Sequence, residues 1–269
     1  MEGTLAILGT GRMGEALLAG LLRSGWLAPE QIRCTVRRTE RARELAERYG
    51  VHVDTDSAAA TTAADVVLIA VKPQSIRDLL VDIGPKVREG HTVVSVAAGV
   101  RTSVIDELIP GDTPIVRVMS NVPVLVDEAM SVVAPGRFAG PEHLEVAEDI
   151  LAHVGRVIRL PEEHLDAVTA LSGSGPAYFF LLAEAMIDAG ILLGLNRDVA
   201  TELIIQTMVG SAKMLRDTGR HPVELRESVT SPGGTTIAAI RVLEEERVRA
   251  AFLNAIEAAK RRSQELAGG

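Results

Sequence analysis

Short runs of aliphatic and β-branched residues alternate with amphipathic stretches of helical length over the first 160 residues or so, the pattern of repeated β-α-β units. The apolar runs predict strands over 4–8, 32–36, 66–71, 92–96, 115–119, 131–134 and 156–160, with helices between them over 13–24, 40–49, 76–83, 102–108 and 141–153. Val66-Val67-Leu68-Ile69-Ala70-Val71 has no polar position at all, as a parallel strand covered on both faces requires. The expected architecture of residues 1–160 is therefore an α/β doubly wound parallel sheet.

Beyond Leu160-Pro161 the β-branched clusters thin out and helical periodicity takes over, at 163–171, 176–193, 197–216, 222–228, 235–245 and 248–266. Residues 161–269 read as a separate, all-helical domain. The stretch 176–193 (PAYFFLLAEAMIDAGILL) is apolar nearly all round, with Pro176 suited to a first helical turn, and has to be buried on most sides. So small a helical domain does not easily enclose it, which points to burial against a second copy of the chain and a homo-oligomer, a dimer or an assembly of dimers. Glu184 and Asp188, four apart on that helix, either line a site or mark its wetter edge.

Composition narrows the function. The 28 basic and 36 acidic side chains leave a net charge of −8, and no basic stripe alternates with the one Trp, two Tyr and four Phe, so nucleic acid is not an expected partner. The single cysteine, Cys34, excludes an internal disulfide and a multi-thiolate metal site, and its apolar neighbours make it a buried thiol; no metal is expected. Met1-Glu2-Gly3 lacks the basic start of a secretory leader, and no apolar run approaches the ~20 residues of a membrane span. A cytoplasmic protein without a membrane partner is expected.

Gly9-Thr10-Gly11-Arg12-Met13-Gly14 follows the first strand and opens the first helix with G-x-G-x-x-G spacing. Gly9 permits the tight turn, Gly11 admits a pyrophosphate against the backbone, and Gly14 lets helix and strand pack closely, while the helix N-terminus attracts the diphosphate. A dinucleotide is the expected ligand. At the end of the second strand, where an acidic residue would bind an adenosine ribose, Arg37 and Arg38 stand instead, so NADPH is favoured, with NADH possible. Two further loops beyond strand ends, Ala70-Val71-Lys72-Pro73 and Ala97-Ala98-Gly99, belong to the same site; Lys72 either touches the cofactor or caps the strand end.

The helical half contains Val229-Thr230-Ser231-Pro232-Gly233-Gly234-Thr235-Thr236. Its Pro-Gly-Gly turn gathers amides into a concavity, with the two threonines expected to cap the next helix, an arrangement that accepts a small-molecule carboxylate. Leu171-Ser172-Gly173-Ser174-Gly175-Pro176-Ala177-Tyr178 either floors that pocket or allows close helix packing. None of the six histidines sits in a carboxylate-paired setting, which disfavours alcohol oxidation. A C=N substrate removes the difficulty, since it takes a proton from solvent and then accepts hydride.

Together these segments, with Ser95-Val96-Ala97-Ala98-Gly99-Val100 and the run Val229 to Glu244, resemble the pyrroline-5-carboxylate reductase family along essentially the whole chain. The resemblance implies an N-terminal Rossmann domain, a C-terminal helical dimerisation domain that interlocks with its partner's, active sites formed between subunits, and NAD(P)H-dependent reduction of 1-pyrroline-5-carboxylate to L-proline. It implies that amides of Gly233, Gly234, Thr235 and Thr236 hold the substrate carboxylate while the Thr236 hydroxyl meets the ring nitrogen as the catalytic group. Ser228, Ser231 and Glu162 align with further substrate-pocket positions, Ser57 with a cofactor contact where relatives often carry Asn, and Asn121 with a position near the nicotinamide, in a Met119-Ser120-Asn121 run that lacks the family's proline. Two rival readings are a β-hydroxyacid dehydrogenase, for which Lys213 is the sole partial candidate for the required lysine, and a non-enzymatic NADPH sensor.

Overall fold

The structure, a computed structural model, describes residues 3–267; Met1 and Glu2, and with them part of the reading of the amino terminus, lie outside it. Eight strands form one sheet in the order β3-β2-β1-β4-β5-β6-β7-β8: β1 Leu5–Leu8, β2 Ile32–Thr35, β3 His52–Asp54, β4 Val66–Ile69, β5 Thr92–Ser95, β6 Ile115–Met119, β7 Ala129–Pro135 and β8 Gly155–Arg159. The helices on this sheet are α1 Arg12–Ser24, α2 Thr39–Tyr49, α3 Ser57–Thr62, α4 Ile76–Ile83, α5 Thr102–Asp106 and α6 Pro141–Ala152.

Every residue of β1, β4 and β5 is buried. Because side chains alternate across a strand, Leu5 and Ile7 join one core with α1 and α6, while Ala6 and Leu8 join a second with α3, α4 and α5. Two cores, one on each face, are what hold a doubly wound sheet together.

The sheet departs from the expected all-parallel form in one pairing: β7 runs antiparallel to β6, with Val116 opposite Pro135 and Met119 opposite Val132. The reason is the connection, a single 3₁₀ stretch over Val122–Val126 closed by Asp127 in the left-handed conformation (φ 58°), where a parallel return needs a long crossover. Edge strand β3 and helix α3 lie outside the predicted set as well. Two of the three β3 residues are exposed, so no apolar run announces it, and α3 is six residues of small side chains started by the Asp56 carboxylate accepting the Ala59 N–H at 2.8 Å.

The described residues divide into two compact units, one running to Ser174 and including the segment from Ala259 onward, the other Gly175–Ala258. The sheet itself ends at Arg159, where the sequence expectation put the boundary. The first unit continues past it through α7 (Leu165–Val168), because Leu165 packs with Val132 and Ala134 of β7 and Asp166 accepts the Ser263 hydroxyl at 2.7 Å. A π-helical turn, Thr169–Gly173, completes this unit.

The second unit contains α8 (Gly175–Leu192), α9 (Arg197–Thr218), α10 (Pro222–Ser228), α11 (Thr235–Glu245) and the first half of α12 (Val248–Ala267). Helix α8 is apolar all round yet exposed in the single chain: Phe180 is 66% and Leu192 89% accessible. The helical run Glu162–Leu192, 31 residues, also has the length and composition to cross a membrane, which corrects the expectation that no apolar run comes near that size. Glu184 and Asp188 are both exposed, and Asp188 pairs with Arg197 at 3.4 Å.

Candidate active site

The turn from β1 into α1 is built as the glycine spacing requires. Gly9 sits at φ +87°, and a Cβ there would overlap the Val71 side chain and lie 3.0 Å from its Cα. Its N–H and that of Thr10 donate to the Thr35 carbonyl at 3.1 and 2.8 Å, and the Thr10 hydroxyl donates to the Ile7 carbonyl at 3.3 Å. Gly14 is equally confined, since its Cβ would stand 2.9 Å from the Gly9 carbonyl oxygen and 3.3 Å from the Ala70 Cβ.

Gly11 is different. The nearest atom to a Cβ there is the Gly9 oxygen at 4.0 Å, so nothing in the protein demands a glycine at this position. Gly11 is also the N-cap of α1, with no side chain capping it, and the first intrahelical bond is Glu15 N–H to the Gly11 carbonyl at 2.8 Å. The amides of Arg12, Met13 and Gly14 precede that bond and form the electropositive end of a 13-residue helix. A bare helix terminus beside an unneeded glycine fits a diphosphate. A cleft of about 640 Å³ runs alongside, lined by Arg12, Met13, Ala16, Tyr49, Val124 and Leu125.

Arg37 and Arg38 leave the end of β2 as exposed side chains, and Arg38 is the N-cap residue of α2. The Arg37 guanidinium donates to the Ser75 hydroxyl, which comes from the turn after Lys72-Pro73. Two of the basic residues of α2 are occupied: Arg41 and Arg48 both pair with Glu15, and Tyr49 donates to the same carboxylate at 3.1 Å. Arg38, exposed at the strand end, has no such partner among the described hydrogen bonds, whereas Arg37 is held by Ser75. Ser57, the first residue of α3, shares a hydrogen bond with the Thr35 hydroxyl at 3.1 Å and so braces the strand end that holds the glycine turn.

The remaining loops of this unit follow β4 and β5. Ala70, Val71, Lys72 and Pro73 pass from β4 into a 3₁₀ turn whose N-cap is Lys72, an exposed residue. Ala97 is buried, Ala98 exposed, and Gly99 has φ +73°. Asn121, beyond β6, is buried with both ends of its amide engaged: it donates to the Ser172 carbonyl at 3.1 Å and accepts the Met130 N–H at 2.9 Å. The Leu171 to Tyr178 motif therefore has a packing role at Ser172 and Gly173, where a Cβ on Gly173 would overlap the Met119 methyl.

Glu162 is in the first unit, in a 3₁₀ turn after β8. One carboxylate oxygen accepts the Thr102 N–H at 2.8 Å and Arg117 Nη1 at 3.1 Å; the other accepts the Thr102 hydroxyl at 2.8 Å. Asp106, nearby on α5, has its carboxyl pushed above the ordinary value by burial, with Glu162 adding repulsion and Arg137 opposing it. Cys34 lies in β2 with its thiol pushed up to about 12 by burial, against a smaller opposing hydrogen bond from Thr10, so it stays protonated and inert.

In the second unit, the turn before α11 repeats the logic of the first. Gly233 has φ +68°, Gly234 donates to the Ser231 carbonyl at 3.1 Å, and a Cβ on Gly234 would overlap the Ser231 hydroxyl. Gly234 is the N-cap, and no side chain caps the helix, so the expectation that the threonines do so is corrected. Thr235 and Thr236 are the first two helical residues, and their amides precede the first intrahelical bond, Ala238 N–H to Gly234 at 3.4 Å. Thr236 is half-buried, Ser231 exposed, and Ser228 spends its hydroxyl proton on the Leu225 carbonyl at 2.7 Å. Thr35, Ser75, Thr102 and Arg117 were not foreseen as parts of the site. Arg117 alone carried a signal, a charge in the middle of the apolar strand Ile-Val-Arg-Val-Met, which must find a buried partner.

Glycine-rich turn, basic strand end and helical second unit together define an NADP-dependent oxidoreductase with a dimerisation domain. Residues 4–99 match the family described as "NADP oxidoreductase coenzyme F420-dependent", and residues 162–266 match "Pyrroline-5-carboxylate reductase dimerisation". A pyrroline-5-carboxylate reductase of Corynebacterium melassecola is 45% identical over 266 residues, 98% of each chain. Among solved structures, the chain is similar to a pyrroline-5-carboxylate reductase from Coxiella burnetii (TM-score 0.93, 36% identity, 99% of each chain). It is similar also to a Plasmodium falciparum pyrroline carboxylate reductase with NADP bound (TM-score 0.89, 27% identity, 99% of this chain and 98% of that one). The chain belongs to the pyrroline-5-carboxylate reductase family.

Proposed function

We propose that this chain reduces 1-pyrroline-5-carboxylate to L-proline with NADPH, the last step of proline biosynthesis, in the cytoplasm and as a dimer or an assembly of dimers. The observation that carries the reading is the uncapped N-terminus of α11 behind the positive-φ Gly233, where the amides of Thr235 and Thr236 precede the first intrahelical bond. Reduced nicotinamide supplies hydride when bound. The chain's own residues bind and orient. Amides of Gly233, Thr235 and Thr236 hold the imine's carboxylate, that of Gly234 being already given to the Ser231 carbonyl, and the Thr236 hydroxyl donates a hydrogen bond to the ring nitrogen, where a proton must arrive.

Catalysis of this kind is positioning plus one hydrogen bond and needs no strong acid. Against the expectation that no histidine is carboxylate-paired, His143 lies 3.3 Å from Glu142, and His153 and His164 lie 3.9 Å from Asp149 and Glu163; His91, His143 and His221 each use Nδ1 to accept a backbone N–H, from Arg88, Gly140 and Val223 respectively. Exposed apolar side chains on α8, Phe179, Phe180 and Leu181 among them, support burial by a second copy rather than a lipid contact. Thr236→Ala should stay folded and lose ~10²-fold in turnover of pyrroline-5-carboxylate, followed by NADPH absorbance. Undiminished turnover would remove the threonine hydroxyl from the mechanism.

A further inference from the structure

The loop after β5 is pinned at both of its ends, at Val96-Ala97 and at Thr102. At its start, the Ala97 N–H faces the Ser95 hydroxyl at 3.4 Å, and the Val96 N–H donates to the Ile69 carbonyl at 3.0 Å. At its end, α5 begins with Thr102, and its N-cap Arg101 offers no capping side chain. The cap comes instead from Glu162, sixty residues further along the chain, which takes both the Thr102 N–H and the Thr102 hydroxyl.

The same carboxylate neutralises Arg117, whose side chain is only 6% exposed and whose backbone stands opposite Ser95 in the β5–β6 register. One side chain thereby sets the α5 terminus and the Arg117 side chain of the neighbouring strand, while the loop's start is held separately by Ile69. Gly136 closes the arrangement from the far side, since a Cβ there would lie 3.2 Å from the Thr102 Cβ. Between these anchors Val100 is buried, Gly99 is half-buried, and Ala98 and Arg101 are exposed, at the carboxyl end of a parallel strand, where such sheets bind the reactive part of a ligand.

We infer that Glu162 is a positioning residue for the reaction: through Thr102 and Arg117 it fixes the Ala97-Ala98-Gly99 loop against which the nicotinamide is seated. The inference rests on the proposed function and replaces the alignment-based role of Glu162 as a substrate contact. With both oxygens occupied by three donors, the carboxylate has its hydrogen-bonding capacity largely spent inside the protein.

The test uses the full-length enzyme and the variants Glu162→Gln, Thr102→Val and their double. Wild-type NADPH oxidation on adding pyrroline-5-carboxylate is measured first; if the wild type is inactive, the proposed function fails and Glu162 is not at fault. With an active wild type, each single variant is expected to weaken NADPH binding about tenfold by fluorescence titration and to lower kcat more than it changes the imine KM. The double variant should be no worse than the more severe single one, because both act through one contact. Thr102→Val keeps the Glu162 pairing with Arg117 and so stays informative if Glu162→Gln does not fold. A higher imine KM in Glu162→Gln with Thr102→Val silent would make Glu162 a substrate contact and overturn the inference. Lowered thermal stability with unchanged NADPH affinity and kcat in both variants would overturn it as well.

Discussion

Two glycines of the same turn separate folding from ligand binding, because only one of them is required by the protein itself. At Gly9 an alanine would be held at φ +87° and its methyl would overlap Val71. The left-handed backbone costs about 1–2 kcal/mol and the overpacking about 1–3, together about 2–5 kcal/mol. For a chain of this size, at roughly 2–4 °C per kcal/mol, Gly9→Ala should lower Tm by about 10 °C. At Gly11 the backbone is ordinary, φ −84° and ψ −154°, and the methyl meets nothing closer than 4.0 Å. Losing a glycine N-cap costs less than ~1 kcal/mol, and the stiffer unfolded chain returns ~0.4–1 kcal/mol, so Tm should stay within about 3 °C of wild type. The methyl nevertheless occupies the space a pyrophosphate would take, and NADPH affinity should fall at least ~10-fold, or about 1.4 kcal/mol. Thermal scans at fixed protomer concentration and NADPH fluorescence titrations decide the matter. Wild-type NADPH affinity in Gly11→Ala, or a Tm loss equal to that of Gly9→Ala, would refute the placement of the diphosphate.

Replacing Arg37 and Arg38 together by alanine should raise the NADPH KM at least ~10-fold and leave the NADH KM nearly unchanged, since a charge-assisted contact is worth ~1.5–3 kcal/mol; equal effects on both cofactors would reject the assignment. Cys34, with its thiol raised to about 12 by burial, should resist a disulfide reagent at pH 8 in the native protein and react at once in denaturant; fast native labelling would contradict its burial. The native carboxyl of Asp106 is raised by burial, so its contribution to stability is full below the unfolded-state value and is lost as pH rises through the native one. Asp106→Asn should therefore raise Tm at pH 7 and lose that gain at about pH 3, where the acid is protonated in both states; a gain independent of pH would show that charge is not the cause.

The periodic apolar strands and the G-x-G-x-x-G turn were legible because both are local: alternation along a strand and glycine at a left-handed turn are imposed by neighbours a few residues away. The same holds for the Pro-Gly-Gly turn ahead of α11. Three features escaped for the opposite reason. Strand β3 has little apolar pattern because it is an edge, the direction of β7 depends on how its connection folds, and the occupant of the α11 cap is a glycine backbone rather than a threonine hydroxyl.

Local chemistry in the amino-acid order thus determined that there is a glycine turn of dinucleotide-binding spacing, a basic strand end in place of an acidic one, and a Pro-Gly-Gly turn opening a helix in a helical half. The tertiary structure alone decided which side chains hold those pieces still. Glu162 reaches Thr102 across sixty residues, Asn121 reaches Ser172 across fifty-one, and Arg37 reaches Ser75 across thirty-eight. Contacts of that span leave no periodicity in the chain, since their partners meet only after the sheet has closed the loops between them.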